Sequence, residues 1–72
     1  MVTGIKLFDV VALTENLPER KLRRGQVGTV VESLAPDVFE VEFTDNDGRA
    51  FASLALKANQ LMVLYYEPFE AA

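Results

Sequence analysis

Hydrophobic and polar positions alternate most cleanly over residues 38–44, where Phe39, Val41 and Phe43 share one face and Glu40 and Glu42 point the other way. A period of two marks a half-buried strand. Its register is well specified, because a slip of one residue would carry both carboxylates into the core. Upstream, residues 27–34 are rich in β-branched side chains, and Ala35-Pro36-Asp37 supplies the break: proline fixes φ and aspartate can bond its own backbone. Downstream, Asp45-Asn46-Asp47-Gly48 reads as a turn, since Asn and Asp tolerate left-handed conformations and Gly adopts them without steric cost. Residues 24–49 therefore predict a strand, a reversal, a second strand and a turn into a third, and the remainder of the chain is organised around them.

In residues 5–13, Phe8, Val10 and Ala12 fall on one face and Leu7, Val11 and Leu13 on the other, interrupted only by Asp9. This predicts a first strand covered in part on both sides, as in a small barrel. Residues 14–22 show no sustained periodicity and predict a long exposed loop. Pro18 disfavours helix at Leu17 and can start a single turn through Glu19 to Lys21. Residues 49–56 alternate Ala50, Ala52, Leu54 and Leu56 against Phe51, Ser53 and Ala55, either set able to face the core. Residues 57–60 are a polar interruption or a 3₁₀ turn, and residues 61–66 are an apolar run of strand length. Residues 51–64 also contain many good helix formers. The strand reading is preferred because Phe39, Val41 and Phe43 need a covering partner and residues 63–66 are β-rich. The sum is an all-β, small five-stranded barrel with a core over residues 5–67. A C-terminal tail, residues 68–72, begins at Pro68 and frays unless Phe69 docks on the barrel.

At 72 residues, half of them apolar, the chain predicts one domain, residues 1–72, near the lower limit for a single unstapled core. Neither cysteine nor histidine is present, so disulfides and the usual thiolate or imidazole zinc sites are excluded. The first residues show no basic segment followed by a long apolar one, and no run approaches the roughly 20 apolar residues of a membrane helix; the expectation is a cytoplasmic chain without membrane contact. Net charge is −4, with 11 acidic residues against 7 basic ones, which argues against a surface built chiefly to neutralise phosphate. The distribution says more. Arg20, Lys21, Arg23 and Arg24 fall in one short window, while Glu32, Asp37, Glu40, Glu42, Asp45 and Asp47 all follow in the hairpin, so a charge dipole is expected.

Catalytic and metal chemistry find little support. With Asp45 at position 1 or 3 of a calcium loop, the place of the bidentate glutamate is taken by Leu56 or Leu54. Glu40 and Glu42 share an exposed strand face, where carboxylates solvate rather than form an acid and base pair. Ser33, Ser53, the threonines and the lysines lie in no activating context such as a nucleophile elbow or Ser-x-x-Lys. Gly25 and Gly28 are followed by a strand, whereas a phosphate loop needs a helix N-terminus behind it. The chain is expected to be no enzyme, with neither a cofactor nor a metal.

The run Gly25-Gln26-Val27-Gly28-Thr29-Val30-Val31 resembles the KOW-like and SH3-like pattern, in which glycines let the chain enter a tightly coiled strand and valines pack inside. A longer string is more specific: residues 7–18, Leu-Phe-Asp-Val-Val-Ala-Leu-Thr-Glu-Asn-Leu-Pro; residues 22–32, Leu-Arg-Arg-Gly-Gln-Val-Gly-Thr-Val-Val-Glu; then Glu40-Val41-Glu42-Phe43 and Gln60-Leu61. Together these blocks, over residues 6–68, resemble a bacterial family, frequent in cyanobacteria, of small stand-alone domains catalogued as the domain of unknown function DUF4926. The resemblance implies a small SH3-like barrel, often encoded beside small proteins of toxin or antitoxin character, with no established activity and no agreed functional residues.

What remains is binding. Arg20, Lys21, Arg23 and Arg24 are the leading candidates for contact with a partner, since small barrels place binding residues on loops at the barrel mouth, and Tyr65, Tyr66 and Phe69 are candidates for added aromatic contacts, with at least one tyrosine expected in the core. The bland alternative for the basic window is a solvated loop balancing the acidic strands. The favoured expectation is a non-catalytic protein-binding module, the regulatory or antitoxin-like partner of another small bacterial protein, its acidic surface suited to a basic groove. The alternative is a KOW-type RNA- or ribosome-associated module, although nucleic acid is the less favoured partner. A homo-oligomer formed through an edge strand is a third expectation.

Overall fold

The computed structural model describes residues 4–69. The strands are β1 (Val10–Leu13), β2 (Val27–Ala35), β3 (Val38–Thr44), β4 (Ala50–Lys57) and β5 (Leu61–Val63), with 3₁₀ turns at Pro18–Arg20 and Ala58–Gln60 and no α-helix among the described residues. All strand pairs are antiparallel and form one sheet in the order β4-β3-β2-β1-β5.

The alternation that defines β3 also defines the core. Phe39, Val41 and Phe43 are buried, and Val11, Leu13, Val30, Leu54, Leu56 and Leu61 pack with them, so every strand contributes to one cluster. In β4 the inward set is Ala52, Leu54 and Leu56, which settles the choice that periodicity left open. A flat sheet with four inter-strand steps would hold β4 and β5 about 19 Å apart. They are joined instead by the three residues Ala58–Gln60, a 3₁₀ turn that advances about 2 Å per residue. The sheet must therefore roll until its outer strands approach. Two register shifts in β2, between Val30 and Glu32 and between Ser33 and Ala35, supply the bend, since each bulge kinks its strand and increases local twist. No ladder joins β4 to β5, so the rolled sheet stays open along that seam.

Gly28 sits where β3 crowds β2 most closely against a glycine. A Cβ there would stand 2.8 Å from Val41 Cγ1, 2.9 Å from the Glu42 carbonyl oxygen and 3.0 Å from Phe43 Cδ1. Only a residue without a side chain lets β2 and β3 approach this closely.

Four sequence expectations are corrected. The first strand spans only Val10–Leu13: residues 6–9 form a turn in which the Asp9 N–H donates to the Lys6 carbonyl at 3.0 Å, the Asp9 carboxylate accepts from the Lys6 N–H at 2.8 Å, and Phe8 takes φ +70°. Apolar Leu7 and Phe8 mimic a strand pattern, but Asp9 bonds the backbone locally and turns the chain. The loop of residues 14–22 is exposed only in part, because Leu17 and Leu22 pair across a β-bridge and are buried in the core. β5 ends at Val63 rather than Tyr66, because β1, its only ladder partner, is itself short. Neither tyrosine enters the core and Phe69 does not dock: Tyr65, Tyr66 and Phe69 are 82, 81 and 93 % exposed. Part of the expected tail, residues 70–72, lies outside the described residues.

Candidate functional site

The basic loop between β1 and β2 is held from beneath by its own sequence. Leu17 and Leu22 anchor its two limbs in the core, and their backbones exchange hydrogen bonds of 2.9 and 3.1 Å. Between them, Pro18 starts the 3₁₀ turn, and Lys21 closes it in the left-handed region with its N–H donating to the Pro18 carbonyl at 3.0 Å. The descending limb is fixed by side chains: the Arg24 N–H donates to Asn16 Oδ1 and the Arg23 N–H to Gln26 Oε1, both at 2.8 Å. Gly25, at φ +91°, then turns the chain into β2, its N–H donating to the Leu13 carbonyl at 2.7 Å. The backbone is thus committed to internal bonds, whereas the side chains of Arg20, Lys21, Arg23 and Arg24 are exposed and form no ion pair among the described residues.

An apolar strip adjoins this loop on the outer face of the sheet. Ala12 stands opposite Val27 on one side and Met62 on the other, and its neighbours Val11 and Leu13 turn inward, so all three point away from the core. Val27 and Met62 are exposed and shield Ala12 between them. Periodicity did not single out these residues as a surface. Which face of the short β1 lay outside depended on the roll of the sheet.

The aromatic residues lie elsewhere. Leu13 pairs with Leu61 and Val11 with Val63, and the Leu64 N–H donates to the Val10 carbonyl at 2.9 Å. Tyr65 and Tyr66 therefore leave at the Val10 end of β1, beside the Leu7-Phe8 turn, while the basic loop springs from the Leu13 end. The structure does not bring Arg20, Lys21, Arg23 and Arg24 together with Tyr65, Tyr66 and Phe69. A cavity of about 590 Å³ is lined by Tyr65, Tyr66, Glu67, Pro68 and Phe69. All five are consecutive tail residues, so it is a fold of the tail against itself.

The acidic residues of β2 and β3 gather on another part of the outer surface, whereas Glu15 and Glu19 are exposed in the basic loop itself. Glu32 stands directly opposite Glu40 across β2 and β3, a like-charge pair that costs stability, and Glu42 lies on the same face as Glu40. Glu40 Oε2 accepts the Ser53 hydroxyl at 2.7 Å. Asp45 is spent on its turn, its Oδ1 accepting the N–H groups of Asp47 and Arg49 at 2.9 and 3.0 Å. Among the described residues no polar or charged side chain is buried and no group of acidic residues could hold a metal ion. Among those same residues no helix is long and apolar enough to cross a membrane.

The model of a family described as a domain of unknown function (DUF4926) matches residues 7–63, from the turn before β1 through the end of β5. No curated protein and no solved structure matches the chain significantly.

Proposed function

The chain belongs to the DUF4926 family, and from that premise we propose that it is a non-catalytic binding module which grips an acidic surface of another protein through Arg20, Lys21, Arg23 and Arg24. The observation that carries this reading is the division of labour in the loop: its backbone is locked by Asn16, Gln26 and the two leucine anchors, and its cations form no ion pair among the described residues. Pre-ordering the loop lowers the entropy lost on binding, and unpaired arginines are suited to bidentate recognition of carboxylates. The adjoining strip of Val27, Ala12 and Met62 supplies apolar area beside the charges, the arrangement of an interface with a dry centre and a polar rim. A regulatory or antitoxin-like role toward another small protein is the form of this function that suits a single small domain. Enzymatic action is disfavoured because a buried, desolvated acid or base is the usual source of catalytic pKa tuning, and no ionisable side chain is buried among the described residues.

The test compares wild type with a variant in which Arg20, Lys21, Arg23 and Arg24 are replaced by glutamine. Co-purification from the native host should return a stoichiometric protein partner with wild type and lose it with the variant, while circular dichroism stays unchanged. If the variant retains the partner, or wild type captures none, the reading fails. The same cations also suit phosphate, so RNA binding that weakens steeply with salt and vanishes in the variant would replace the protein partner with nucleic acid.

A further inference from the structure

The geometry points to β4 as a pairing edge for a second copy of this chain, joined antiparallel about a two-fold axis at Leu54. β4 spans 8 residues, Ala50–Lys57, and closes one side of the sheet with a ladder to β3 alone. Among the described residues its outward N–H and C=O groups have no partner except the Lys57 N–H, which donates to Gln60 Oε1 at 2.8 Å and would have to give up that bond at the end of the new ladder. Natural edge strands are normally blunted by charge, proline or shortness. From Ala50 to Leu56 this one contains neither a charge nor a proline. The opposite edge, β5, has only 3 residues and offers far less.

The second copy is favoured over a foreign strand because β4 is complementary to itself in one register. Inward residues must meet inward residues, which excludes every odd shift. Centring the axis on Leu54 places Ala52 against Leu56 of the second copy, Ser53 against Ala55 of the second copy and Phe51 against Lys57 of the second copy. Small side chains then oppose large ones on the core side. On the outer side the only charge of the strand lies over the half-exposed ring of Phe51, a cation–π contact made twice by symmetry. Centring on Ser53 instead sets Arg49 against Lys57 of the second copy, a like-charge pair, and is disfavoured. A contact through one edge falls at the small end of interfaces, under about 1,200 Å², so the dimer forms as concentration rises. This inference stands independently of the basic loop.

Sedimentation of the full chain over a wide concentration range should follow a monomer–dimer equilibrium. Ser53→Lys with Ala55→Lys places lysine opposite lysine at two symmetric points and should weaken the dimer by about tenfold or more. The chain has no cysteine, which allows a second measurement should that variant misfold. A mixture of the Ser53→Cys and Ala55→Cys chains should cross-link on mild oxidation, and Ser53→Cys alone should not. A wild-type chain that stays monomeric throughout, a folded lysine variant that dimerises like wild type, or cross-linking of Ser53→Cys with itself would each overturn the proposal.

Discussion

Gly28 and Phe8 show how a single residue can agree or disagree with its place. Glycine is the only residue type that fits at position 28 between Val41, Glu42 and Phe43, since a Cβ there would stand 3.0 Å or less from each. Gly28→Ala should force β2 and β3 apart and destabilise the fold by about 1–3 kcal/mol, read as a lower urea midpoint. Phe8 is the reverse case: a bulky side chain at φ +70° and 70 % exposed, in a turn position that glycine would occupy without strain. Phe8→Gly should raise stability by up to about 1 kcal/mol, and a loss would mean that the ring has a packing role the structure does not indicate. Both glycines of the Gly25 to Val31 run have structural tasks, one turning the loop and the other admitting a neighbouring strand. Gln60 has three: its side chain accepts the Lys57 N–H at 2.8 Å and reaches Glu15 at 3.4 Å, while its carbonyl accepts the Thr14 N–H at 3.0 Å.

As elements, the strands follow periodicity and the loops follow anchors. β3 obeys alternation from end to end, which is why its core face was evident from the chain alone. The basic loop obeys no period, and its shape comes from two leucines and two amide side chains spread along it. Leu22→Ala should cost about 2–4 kcal/mol by opening a core cavity, a large share of the roughly 4–11 kcal/mol expected for a domain of this size. Asn16→Ala should cost only about 0.5–1.5 kcal/mol. Its signature would be faster hydrogen exchange at the Arg24 amide with protection in β3 unchanged. If both substitutions leave the loop amides as protected as before, the loop is not held as described.

Taken whole, the molecule separates its surfaces. Cations and an apolar strip occupy the Leu13 end of β1, carboxylates the outer face of β2 and β3, and exposed aromatics the Val10 end. Among the described residues, none of residues 65–69 of the tail joins the core cluster. Removing residues 65–72 should therefore change stability by no more than about 0.5 kcal/mol, and its thermal midpoint should stay near that of the full chain. Partner binding through the basic loop should survive that truncation, because the two poles are separate. If truncation abolishes binding, the aromatic tail rather than the loop makes the contact.

Strand identity, the two hairpin turns and the inward set of β3 could be read from the chain, because each depends on neighbours one to four residues apart. The basic window could be read as well, as composition. Tertiary structure decided what depends on contacts distant in sequence. It determined that Leu17 and Leu22 leave an otherwise polar loop for the core, that the Asp9 turn cuts β1 short and a short β1 leaves β5 short, and that the arginines and the tyrosines part company. The physical reason is the roll of the sheet: local alternation specifies two faces, but only the curvature around Phe43 and Val41 decides which surfaces end up side by side.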